Sequence, residues 1–296
     1  MTDTSRTLPA LSSAAGTRVL GAELIVGSAA LFGLAGVFTK SVSADAWTIA
    51  CWRGIIGGLV IALYVLWRGW RSGAGVDLRL GWRGWLMAAV GAASSLTFIA
   101  AFKHTYVANV AIIYATVPMV AAGLEWLLMR VKPSRLTVGS ALVSFAGVGI
   151  IVAGGLGAGH LVGDLIAVAM TLACAVYMVL IRLFRETPVV WAGAVSAFIL
   201  FAAAWLVVDP LAVSTADMVK MAGFGLAFAC AAILWTEGTR LIPAAEAGVL
   251  GSAEVPFAMV FAWLFLSELP PVPSLAGGLV VLTAVVLHAV RSARAG

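Results

Sequence analysis

Apolar residues in this chain come in unbroken runs about twenty residues long, separated by short stretches rich in Arg, Pro, Gly and Ser. At about 1.5 Å of rise per residue, a helix of some twenty residues crosses the roughly 30 Å hydrocarbon layer of a bilayer. Ten such runs are predicted as spans: residues 20–41, 45–67, 81–101, 107–129 and 135–154, then 161–182, 189–208, 215–240, 244–266 and 272–290. The runs are continuous and do not alternate, which excludes the roughly ten-residue strands of a membrane β-barrel. The fold class expected is therefore all-α integral membrane, with ten transmembrane helices.

Composition agrees with the pattern. Of 296 residues, 62% are apolar and 10% charged, whereas a soluble domain carries about a quarter charged residues. Disorder needs the opposite balance. Cys51, Cys174 and Cys230 are odd in number and each stands inside an apolar run, so they read as small buried hydrophobes and not as bridges or metal ligands.

The net charge of +5 raises the question of nucleic acid, but the placement of the basic residues answers it. Cytoplasmic loops of membrane proteins are enriched in Lys and Arg. With both termini inside, Arg6, Arg18, Arg68, Arg71, Arg79, Arg83, Arg130, Lys132, Arg135, Arg182, Arg185, Arg240, Arg291 and Arg294 fall on the cytoplasmic side. Only Lys40, Lys103 and Lys220 fall outside, and Arg53 lies within a span. Excess positive charge is thus topological bias, and no nucleic-acid partner is expected. Residues 1–19 precede a full-length span and read as a polar cytoplasmic tail, not a cleavable signal, with a second tail at 291–296. Most tryptophans fall near span ends, where the indole ring prefers the headgroup level.

The chain also repeats itself. An offset of 138 residues places Val117-Pro118 on Val255-Pro256, Leu128 on Leu266, Pro133 on Pro271 and Gly139 on Gly277, so spans three to five map on spans eight to ten. An offset of 141 places Glu23-Leu24-Ile25 on Asp164-Leu165-Ile166. The repeats are expected at 20–157 and 158–290. Five spans each is an odd number, so the halves are expected to insert with opposite orientation, as in many transporters.

Each half resembles an EamA domain of the drug/metabolite transporter superfamily: a mid-span Pro, an apolar helix, a short turn led by an acidic residue, then a Gly-rich closing helix. In the second half these stand as Val255-Pro256, Leu266-Ser267-Glu268 and Gly277-Gly278, and Trp52-Arg53 resembles the family's Arg near the start of span two. In the first half the acidic position corresponds to Arg130, a departure from the pattern. The resemblance covers about residues 20 to 290 and is nearest to ten-span amino-acid exporters of the YddG type. It implies export of small metabolites across the inner cell membrane, with amino acids favoured and aromatic ones in the range.

Ionisable groups at membrane depth are costly and usually face a bundle or cavity. Four are predicted there: Arg53, Glu125, Glu237 and Glu254. Glu125 stands near Arg130 and Glu237 near Arg240, which points to structural ion pairs, and Arg53 is expected to meet carbonyls or a neighbouring acid. Glu254 differs because it falls at mid-span beside Pro256, whose missing N–H frees the carbonyl of Ser252. Pro118 likewise frees that of Tyr114, with Thr116 in the place of Glu254. Tyr114, Thr116, Ser252 and Glu254 are therefore candidate substrate ligands, and Pro118 and Pro256 candidate hinges. A second mirrored pair, Thr97-Phe98 and Trp235-Thr236, offers an aromatic beside a hydroxyl in each half; packing or lipid contact is the competing reading. Phe32 and Tyr177 are weaker candidates of the same kind. Gly54-x-x-x-Gly58 reads as a close helix contact.

Other classes fit less well. The sequence has no Walker motif, no H-E-x-x-H, no paired membrane aspartates and no Ser-His arrangement; His104, His160 and His288 all lie at predicted span ends. No ring of pore charges suggests a channel. No cofactor or metal is expected, and the only partners expected are a small-molecule substrate and the lipid bilayer, for a monomer. Nucleobases, sugars and cationic drugs stay open as alternative substrates, and an intramembrane enzyme as the alternative class.

Overall fold

The computed structural model describes residues 8–73, 78–156 and 159–295. Arg6 and the start of the predicted amino-terminal tail, residues 157–158 at the predicted repeat boundary, and Gly296 lie outside the described residues. Within them the chain is helical, without strands. The helices of the first half are α1 (Leu8–Gly33), α2 (Ala35–Ser41), α3 (Ala46–Ser72), α4 (Gly81–His104), α5 (Val107–Tyr114), α6 (Val117–Met129) and α7 (Arg135–Gly155). Those of the second are α8 (Leu161–Leu183), α9 (Val189–Val207), α10 (Thr215–Leu241), α11 (Ala244–Gly251), α12 (Glu254–Leu266) and α13 (Val272–Ala295). Among the described residues nine helical segments are long and apolar enough to cross a membrane, and Val272–His288 is a shorter apolar helix.

Local chemistry explains the boundaries. The Asp45 carboxylate accepts from the Trp47 and Thr48 amides and starts α3, while Ser134 and Ser214 cap α7 and α10 in the same way. Gly73, at φ 66°, closes α3 in the left-handed conformation. Helix α1 begins at Leu8, so part of the predicted tail is helical; the stretch is rich in Ala and Leu, and Pro9 stands in its first turn, where a proline is tolerated.

Two predicted spans are broken helices with the same plan. In each, an eight-residue helix and a thirteen-residue helix are joined across two residues, Ala115-Thr116 in one and Ser252-Ala253 in the other. The thirteen-residue helices both end on a non-glycine residue in the left-handed region, Arg130 at φ 59° and Ser267 at φ 52°. Structurally, then, Arg130 matches Ser267 and not Glu268. The sequence alignment on the prolines is one residue out of step with the backbone here.

Packing is also matched between the halves. Helix α1 lies on α10 and α12, and α8 lies on α4 and α6; α3 contacts α10, and α9 contacts α4. Helices α3 and α9 pair directly, as do α7 and α13. Glycines permit these approaches: a methyl group at Gly54 would lie 2.8 Å from the Ala197 carbonyl oxygen, and one at Gly147 2.8 Å from that of Gly277.

The two ends of the bundle differ. At one, Lys40 pairs with Glu268, which also accepts from the Val107 amide, Lys103 donates to the Val42 carbonyl, and Ser43 donates to Asp217. Buried Asp164 there accepts from Thr105 at 2.6 Å and Asn109 at 2.9 Å. The largest apolar core, including Ile49, Phe102, Ile112, Met170, Met221 and Phe224, fills this acidic end. At the arginine-rich end, Arg18 pairs with Glu246, Arg182 with Glu125, and Glu237 with both Arg68 and Arg240. Buried apolar residues there form smaller, separate clusters. Trp67, Trp70, Trp82, Trp85 and Trp126 stand exposed near this end, the level at which indole rings meet headgroups.

Candidate functional site

A central cavity of about 390 Å³ opens between the two halves, within the usual range of about 300–1,000 Å³ for small-molecule sites. Its walls come from α1, α3, α4 and α5 of the first half and α8, α9, α10 and α12 of the second, with Ala35 of α2. It reaches Val189 and Val190 in the first turn of α9, at the arginine-rich end. Toward the acidic end the lining stops at Ala50 and Arg53, short of the Asp45 cap.

Five of the predicted ligands line this space: Phe98, Tyr114, Trp235, Thr236 and Glu254. Phe98 meets the Tyr114 ring edge-on at 5.9 Å. Glu254 opens helix α12 with no hydrogen bond from its carboxyl group to another described residue. Its depth follows from the helix break, which brings the first turn of α12 to the cavity wall.

Thr97, Thr116 and Ser252 are not on the wall. Each hydroxyl is turned to its own helix: Thr116 donates to the Ile113 carbonyl at 2.7 Å, Ser252 to Val249 at 2.6 Å, and Thr97 to Ala93 at 2.8 Å. Serine and threonine in helices commonly back-bond this way. The Ser252 carbonyl, expected to be free, accepts from the Val255 amide at 3.3 Å. Pro118 and Pro256 sit just inside the second piece of each broken helix and are exposed.

Two ion-pair expectations change. Glu125 pairs with Arg182 of the other half and not with Arg130, because Arg130 is the left-handed cap of α6. Glu237 meets Arg240 as expected, and also Arg68 and Tyr64. Arg53 departs furthest from expectation. It is 6% exposed, lines the cavity, and its Nη1 has no hydrogen-bond partner. Its guanidinium lies 3.9 Å from the centre of the Phe228 ring and 5.1 Å from that of Phe224.

Also on the wall are Phe32, Tyr177, Ser94, Ser95 and Ser196. A signal for the phenylalanines was available: Phe224 and Phe228 stand four apart on one face of a helix. Among the described residues no group of three or more His, Cys, Asp or Glu side chains could hold a metal ion.

The fold defines a multi-pass helical membrane protein with a cavity at the junction of two similar halves. The sequence profile of the EamA-like transporter family matches twice, over residues 19–153 and 161–290, and the chain belongs to that family. One solved structure, described only as "Crystal structure of protein", is similar over 95% of this chain and 99% of its own, at 18% identity and a TM-score of 0.65. That likeness is one of fold. No curated protein sequence matches significantly.

Proposed function

We propose that this chain is a secondary transporter exporting small metabolites, most naturally amino acids including aromatic ones, by alternating access of two inverted five-helix repeats around the central cavity. The observation that carries the reading is the composition of that cavity: a largely apolar and aromatic space containing one carboxyl group, Glu254, at the junction of the halves. Phe98, Tyr114, Tyr177 and Trp235 can accept an apolar or aromatic side chain, and burying an aromatic group of about 150–250 Å² supplies roughly 4–6 kcal/mol before ordering costs. Glu254 can meet an ammonium group.

The ten-span inverted arrangement is supported by the matched packing pairs and the matched broken helices. Placing the termini at the cytoplasmic side of the cell membrane puts the arginine-rich end inside, in line with the charge bias of the loops. On that orientation the cavity reaches the cytoplasmic side and is sealed from the outer side by the core and the Lys40–Glu268 and Ser43–Asp217 contacts. Transport then requires the seal to pass from one end to the other, with the breaks of α5/α6 and α11/α12 as the natural places to bend.

Counterflow of labelled amino acids in proteoliposomes, with and without a pH gradient, tests the reading. Counterflow is expected for wild-type protein and, for Glu254→Gln, a fall of at least about tenfold with folded protein retained. Absence of counterflow for every amino acid overturns the substrate class, and undiminished transport by Glu254→Gln overturns the role of that residue.

A further inference from the structure

We propose that Arg53 is the anchor for a substrate carboxylate. This rests on the transporter reading above and narrows its substrate to molecules carrying a carboxylate group.

A guanidinium buried in a membrane protein is expensive unless an anion or a set of carbonyls meets it. Three other charged residues of the spans meet that need within the protein, Glu125 with Arg182, Glu237 with Arg68 and Arg240, and Lys40 with Glu268, whereas Glu254 on the same cavity does not. Among the described residues Arg53 has no carboxylate within ion-pair distance, and its Nη1 is unpartnered although the residue is buried. It nevertheless borders an open space. A guanidinium placed against a cavity with no carboxylate beside it and a buried N–H left over is what a site for an anionic ligand requires.

Its surroundings hold it still. Phe228 and Phe224 lie within cation–π range of the guanidinium. Phe224 is itself stacked on Phe38 at 5.5 Å and 7°. On the backbone side, Gly54 lets α9 approach closely, and Gly57 does the same for α10. The planar fork of an arginine matches a carboxylate in two-point fashion, and an aromatic bed favours Arg over Lys. Glu254 is on the same cavity wall and does not pair with Arg53. The cavity therefore holds a cation and a carboxyl group that are separate from each other, an arrangement suited to a dipolar occupant. Such a molecule would set its carboxylate on Arg53 and its ammonium on Glu254.

The test is binding to purified full-length protein in lipid nanodiscs, with three probes: phenylalanine, 3-phenylpropanoate, which lacks the ammonium, and phenethylamine, which lacks the carboxylate. Arg53→Gln is expected to weaken phenylalanine and 3-phenylpropanoate by at least about tenfold and phenethylamine by less than about twofold. Arg53→Lys, which keeps the charge and guards against a folding defect in the first variant, is expected to show a smaller loss of the same selectivity. Glu254→Gln is expected to weaken phenethylamine and spare 3-phenylpropanoate.

Unchanged carboxylate binding in both Arg53 variants overturns the assignment, as does an equal loss of all three probes. Wild-type protein that binds phenethylamine alone overturns the role of Arg53 and leaves an exporter of cations. Binding of 3-phenylpropanoate through Arg53 without phenylalanine keeps the anchor and overturns the amino-acid reading. Binding of none of the three overturns both. Chloride that competes with no probe supports an organic carboxylate as the occupant, and displacement of both phenylalanine and 3-phenylpropanoate by chloride overturns it.

Discussion

The two ends of this bundle use the same kinds of residue to different effect. At the acidic end, Lys40 and Glu268 are 23% and 12% exposed, and their pair sits on the largest apolar core of the protein. At the other end, the arginines Arg18 and Arg182 are 68% and 46% exposed and their partners Glu246 and Glu125 26% and 15%, and the cavity is lined by one helix of each pair, α1 and α8. An ion pair shielded by packing is hard to separate, because either partner alone would be left poorly solvated. A solvent-facing pair is worth little and can be remade cheaply. The acidic end is thus closed by packing with buried polar contacts, and the arginine-rich end is held by pairs whose cations face outward.

Three substitutions break this contrast in decreasing order. Gly163 packs against the His104 carbonyl so closely that an added methyl group would overlap it. Gly163→Val is expected to cost more than about 3 kcal/mol, beyond the usual range for overpacking, because the obstruction is backbone. Loss of a monodisperse peak in size-exclusion chromatography measures it, and a folded variant with an unshifted melting midpoint contradicts the packed-end description.

Lys40→Met comes next. Leaving Glu268 without its cation is expected to cost up to about 3 kcal/mol, the lower side of the range for breaking a buried pair, since some water reaches this one. The cost falls on the closed acidic end, so labelling of a cysteine at Ala50 by a membrane-impermeant maleimide, in a protein lacking the native cysteines, should accelerate. Adding Glu268→Gln should return the rate toward that of the parent. Equal rates in all three proteins would show that the pair does not hold the seal.

Arg18→Ala is the smallest of the three. No measurable change in melting midpoint or labelling is expected for so exposed a residue. A clear shift in either would mean that the arginine-rich end is held by its charges after all.

The broken helices show how far the sequence was legible. Pro118 and Pro256 announced an irregularity in both halves, and the structure has a break just before each. What the prolines did not reveal is the one-residue difference between sequence and backbone equivalence, which removes the match between Arg130 and Glu268. Nor did they show that Thr116 and Ser252 would spend their hydroxyls on carbonyls three residues back. Side-chain direction within a turn depends on local hydrogen-bond competition, and that competition is invisible in a pattern of residue types.

Arg53 taught the opposite lesson. From its neighbours in the chain it was expected to meet a carbonyl or an acid, as buried charges generally do. Its actual neighbours, Phe224 and Phe228, lie about 170 positions away in sequence and reach it only because α3 packs on α10.

The all-helical, multi-pass character and the likeness of the two halves follow from the sequence alone, since the bilayer imposes one strong demand on every span: enough continuous apolar residues, with backbone groups satisfied inside the helix. Which helices meet, which charges pair across the halves and which side chains face a shared space were decided by tertiary structure. In a chain this apolar every face of a helix looks buriable, and only the fit of ridges, glycines and capped ends selects among the partners.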